Sequence, residues 1–127
     1  MRHLWISLLS ISLLVLGVAN AHDMIPTYPK FTTTFVPGVL KTRMEIFNKR
    51  EDVSYYELGA FDSEWNNIPF VTTYKLIKMD YLAHAEFEIY IKEEDKPRLV
   101  YICSKSKLMS DTIATSAIAS RICSKVK

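Results

Sequence analysis

Two cysteines, three glycines and three histidines are all that the 127 residues contain, and each shortage removes a class of chemistry. Three glycines leave no glycine-rich loop to cradle a phosphate and no G-x-S-x-G nucleophile elbow. Beyond residue 21 the histidines are His22 and His84, too few to complete a zinc site with cysteines twenty positions apart. The pair Cys103 and Cys123 sits in strand-like runs, a setting that favours a mutual bond over nucleophilic catalysis. No long amphipathic helical pattern follows the first 21 residues, which excludes a helical bundle. The expectation is a chain that binds rather than catalyses.

The opening is built for export. Met1-Arg2-His3 is a short basic flank, residues 4–18 are almost unbroken apolar, and Ala19-Asn20-Ala21 closes the stretch. A basic flank, a short apolar core and an A-x-A site together make a secretory signal peptide. About 15 apolar residues are also too few to span a bilayer comfortably. Cleavage before His22 divides the chain into a leader, 1–21, and one domain, 22–127; an uncleaved anchor is the rival. The destination is the periplasm or the outside, where a Cys103–Cys123 disulfide persists.

Charge is distributed unevenly. Residues 22–100 carry ten basic and thirteen acidic groups, whereas 101–127 carry five basic groups against Asp111 alone. The basic end, with Lys105, Lys107, Arg121 and Lys125, is a candidate surface for an anionic or carboxylate-bearing partner. Lysines alternating outward on solvated strands would give the same count. Export argues against nucleic acid as the partner, despite the many aromatics.

The remaining pattern is all-β. Residues 101–107 read YICSKSK and 121–127 read RICSKVK, two alternating runs that pair if the chain folds back. If Val100, Ile102, Ile122 and Val126 face a core, both cysteines face the other side and can lie opposite one another. Residues 83–91 alternate most cleanly, with Ala83, Ala85, Phe87, Ile89 and Ile91 inward and His84, Glu86, Glu88 and Tyr90 outward. Residues 31–36, 42–48, 53–61 and parts of 68–78 supply further short strands, while 22–29 reads as an extended lead-in and 107–115 as a loop. About seven short strands with frequent turns predict an antiparallel β-sandwich.

Met44-Glu45-Ile46-Phe47-Asn48, a charged turn, then Val53-Ser54-Tyr55-Tyr56-Glu57-Leu58 resembles the N-terminal immunoglobulin-like domain of PapD-like periplasmic pilus chaperones. The likeness extends over most of residues 22–127. It implies an immunoglobulin-like sandwich that binds another exported protein, such as a pilin-like subunit, by strand addition at an open sheet edge. The final strand, 115–126, is the candidate edge. The departures are specific. The family has two such domains, and this chain has room for one. The family's carboxylate-anchoring Arg and Lys have no clear counterpart, since the first strand offers only Lys30. The hydrophobic donor strand also lacks a match.

Two other constellations compete. A protein beginning at His22 could chelate copper through its α-amine and imidazole, completed by His84 with Asp23 or Met24. The Asp-x-His signature of CopC-like copper carriers is absent. Glu86 and Glu88, about 7 Å apart on one strand face, have the spacing of an acid–base pair, which any solvated strand face also shows. A structural part of a surface or virion assembly is a third reading.

Overall fold

A computed structural model describes residues 21–107 and 119–126. The leader expected at 1–21 lies almost wholly outside the described residues. So do most of the expected loop 107–115 and the first part of the expected final strand.

Among the described residues, eight strands form two antiparallel sheets. In the first, β3 (Val39–Phe47) pairs along its whole length with β6 (His84–Lys92). Its other edge is shared by two short strands, β1 (Asp23–Ile25) against residues 45–47 and β2 (Thr32–Thr33) against residues 40–41. The second sheet runs β5 (Leu76–Lys78), β4 (Tyr55–Phe61), β7 (Tyr101–Lys107), β8 (Arg121–Lys125). Its pairings are all antiparallel. The result is an immunoglobulin-like antiparallel β-sandwich, as the alternation predicts. A 3-10 turn, Glu93–Asp95, follows β6 on the way to β7.

Side-chain period two assigns the faces. Met24, Met44, Ile46, Phe87, Ile89 and Ile91 of the first sheet meet Tyr56, Leu58, Ala60 and Ile102 of the second, all buried. Val53, Ile68, Met79, Leu99 and Val126 close the ends of this core. At about 25 cal/mol per Å² of apolar surface, this burial is the main stabilising term.

Two local readings are corrected. The run 31–36 forms only the two-residue β2. The Thr34 side chain takes a hydrogen bond from the Val36 amide and donates to the Val39 carbonyl, which turns the chain early. Phe35 and Val36 therefore stand exposed at the hairpin tip, and Gly38 completes the turn at φ 78°. The lead-in 22–29 contains β1 and switches sheets: Asp23–Ile25 pairs with β3, while the Thr27 carbonyl accepts the Lys125 amide of β8 at 3.0 Å. The stretch 68–78 yields one short strand, β5, and an isolated bridge from Val71 to Tyr90, within the short strands expected there.

Candidate protein-binding surface

The cysteines meet as the alternation requires. Cys103 and Cys123 are register partners on β7 and β8 and form a disulfide, with Cα atoms 4.0 Å apart. Ile102, Ser104 and Ser124 on the flanking positions are buried, so the bond lies on the outer face of the second sheet. Around it the same face places Glu57, Lys105 and Arg121 in one row across β4, β7 and β8, and Phe61, Tyr101 and Lys125 in another.

The four proposed cations occupy this face but are not equivalent. Lys107 is held by Glu57, Nζ to Oε2 2.6 Å. Arg121 stands over the rings of Phe61 and Trp65, 5.6 and 5.5 Å from their centroids, a cation–π arrangement. Lys105 and Lys125 are exposed, with no ion pair among the described residues. Lys105 also stands opposite Arg121, and like charges across strands repel. Glu57 flanks Lys105 on its other side, so the row sets one carboxylate against two cations and is net positive.

Sequence reasoning missed the aromatic cluster on the disulfide's face of the sheet. Trp65 stacks on Tyr101, centroids 4.5 Å apart and planes within 4°, while Phe61 tilts against Trp65 at 5.8 Å. Gly59 makes room, since a Cβ there would meet the Phe61 ring at 2.8 Å. The turn 62–66 presents Trp65. Asp62 Oδ1 accepts the backbone amides of Glu64 and Asn66, each at 2.9 Å, and the Asn66 amide holds the Asp62 carboxyl below its usual range. An aspartate four positions before an asparagine was the available signal.

Among the described residues, the outer edge of β8 is unpaired at one end. A Cα separation this short marks Cys103 and Cys123 as a pair that exchanges no backbone hydrogen bonds. The N–H and C=O groups of Arg121, Cys123 and Lys125 therefore point away from β7. The Lys125 amide is taken by Thr27. Those of Arg121 and Cys123 have no backbone partner among the described residues.

Inside the sandwich, His22 occupies a slot that small residues create. Its ring is fully buried, with Nε2 2.7 Å from Ser104 Oγ and Nδ1 3.1 Å from Ser120 Oγ. Tyr56 packs against it at 4.4 Å between centroids. Burial holds the imidazole below its ordinary pKa. Arg50 Nη1 reaches Ser120 Oγ at 3.4 Å and binds Asp52 through Nε and Nη2 at 3.0 and 2.7 Å. Beside this cluster, buried Asn48 accepts from the Tyr56 hydroxyl at 2.6 Å and the Arg50 amide at 3.0 Å. It donates to the Val53 carbonyl at 2.9 Å. Burial pushes the Tyr56 phenol up to about 12.

The copper set is not brought together. His22 points into the core, whereas His84 lies on the outer face of the first sheet, stacked on Phe47 and 2.5 Å from Glu45 Oε1. Asp23 pairs with Lys49 on that outer face, and Met24 is in the core. Among the described residues no three His, Cys, Asp or Glu side chains gather as metal ligands. The carboxylate pair dissolves similarly. Glu88 takes the Tyr90 hydroxyl and ion-pairs with Lys41 and Arg43, which lowers its pKa, the Tyr90 bond contributing most.

The chain matches no family model and no curated protein in sequence. In structure it falls with immunoglobulin-like sandwiches. One solved neighbour is the Escherichia coli chaperone DraB, aligned over 68% of this chain and 45% of that one, at 13% identity and a TM-score of 0.51. The likeness establishes the fold, and the chain spans less than half of that chaperone's length.

Proposed function

We propose that this chain is an exported protein-binding module, akin in use to the PapD-like pilus chaperones, that receives an extended segment of its partner on the edge of β8. The observation that carries the reading is the set of outward N–H and C=O groups at Arg121 and Cys123. These lie on a strand riveted to its neighbour by Cys103–Cys123. A stiffened edge loses little entropy when another strand adds to it. Lys105 and Lys125 give the approach a positive field, so the partner presents an acidic or carboxylate-bearing segment, as a pilin-like subunit would. The expected leader and the disulfide support an encounter in the periplasm or outside the cell. The chaperone-like fold supports the reading.

A photo-crosslinking residue at Lys125, compared with one at Lys41 on the far face of the sandwich, tests it in the envelope of cells that make the protein. Capture of one discrete protein from position 125 and not from 41 is expected. No adduct at 125, or equal capture at both positions, overturns the proposal.

A further inference from the structure

On the opposite side of the sandwich from β8, the edges of β5 and β6 flank a largely apolar groove of about 540 Å³. On β6 the Tyr90 amide and carbonyl leave β3 and bond to Val71, both at 2.8 Å. The β3–β6 register is continuous, so the same alternation turns the backbone groups of His84, Glu86 and Glu88 to that edge. After Val71 the described chain departs, and these groups have no backbone partner among the described residues. The first sheet thus carries one bridge where a whole strand would fit. The groove below is walled by Ala85 and Phe87 on one side and Leu76, Ile77 and Tyr74 on the other. Tyr74 is 70% and Leu76 44% exposed, more apolar surface than a solvated edge needs. Beside the bridge, the Thr72 hydroxyl is buried with no hydrogen-bond partner among the described residues.

We infer that this groove takes an extended segment of another protein in which apolar residues alternate with basic ones. An added strand must place every second side chain between Ala85 or Phe87 and the β5 wall, a dry setting for valine, isoleucine or leucine. The intervening side chains lie beside Glu86, an exposed carboxylate with no ion pair among the described residues, whereas its neighbours His84 and Glu88 are already paired. A basic residue there gains an opposite charge. The same carboxylate argues against a second copy of this chain, because antiparallel pairing of two β6 edges centred on Glu86 sets the two carboxylates against each other. The site is independent of the β8 proposal, since the two edges belong to different sheets.

The test uses a blocked peptide alternating valine and lysine, added to the purified domain with its disulfide intact, and reads backbone amide hydrogen exchange residue by residue. Slowed exchange at Glu86 and Glu88, with Arg121 and Cys123 unchanged, is the expected result. Affinity should fall about tenfold or more in Leu76→Asp, whose exposed position leaves folding intact, and in Ala85→Arg. Replacing each lysine of the peptide by glutamate should weaken it similarly. No protection at Glu86, protection confined to β8, unchanged affinity in Leu76→Asp, or a domain that sediments as a dimer through this edge would overturn the inference.

Discussion

Nε2 of His22 lies 2.7 Å from Oγ of Ser104, a residue 82 positions further along the chain. That contact ties the segment entering the first sheet to the middle of the second. It is possible because the inner face of β7 and β8 carries Ser104, Ser106 and Ser124, all buried, where larger apolar residues would fill the slot.

The buried imidazole makes stability depend on pH. Folding lowers the pKa of His22 from its model-peptide value of 6.5, so the unfolded chain binds the proton more readily than the folded one. Stability is therefore unaffected by this group above about pH 6.5 and falls as pH drops below it, until the folded pKa is passed. Urea denaturation at pH 7.5 and 5.5 should show a loss at the lower pH that is smaller in His22→Gln. An equal loss in both proteins would show that the ring contributes nothing.

Removing the rivet should be costly. The cysteines are 20 residues apart, and a loop of that order restrains the unfolded chain by about 3 kcal/mol. Cys103→Ser with Cys123→Ser should lose roughly this much in denaturant titration, and reduction of the native protein should match it. A loss near zero would mean that the aromatic cluster alone fixes β8.

Asn48 holds several backbone and side-chain groups that no water reaches. Asn48→Ala strands the Tyr56 hydroxyl and the Val53 carbonyl, each worth about 1–3 kcal/mol when buried unpaired. Tyr56→Phe removes a single donor and should cost about 1 kcal/mol. Thermal and urea unfolding of the two variants should rank them in that order; the reverse ranking would refute the network.

Gly59→Val should disturb the outer face without opening the core. The added side chain displaces the Phe61 ring and with it the bed on which Arg121 and Trp65 lie. In a protein beginning at His22, Trp65 is the one tryptophan, and its emission should move to longer wavelength as exposure increases. An unchanged spectrum would mean the stack on Tyr101 holds by itself.

Much of the sandwich was legible because period-two patterns survive wherever one sheet face is dry. The alternation from Ala83 to Ile91, the pair Met44 and Ile46, and the opposed cysteines all lie where their spacing put them. Two failures have physical causes. His22 looked like a metal ligand because a lone histidine carries no mark of burial; its slot is made by serines some 80 to 100 residues away. Lysine count flagged the basic face, but not that Glu57 holds Lys107 or that aromatics hold Arg121. Open edges are invisible to local pattern, since a strand's missing neighbour leaves no residue to read.

The strap formed by residues 22–27 also sets an order of events. The Pro26 carbonyl accepts the Ser124 hydroxyl, and His22 meets Ser120, each pair 98 positions apart. Such distant closures come late, after the long loop between them has been ordered. The first segment of this domain to leave a ribosome or translocon must wait for the last. A chain halted before β8 would leave its serine-lined slot open and Pro26 and Thr27 without their partners, while β1 still has β3 to pair with.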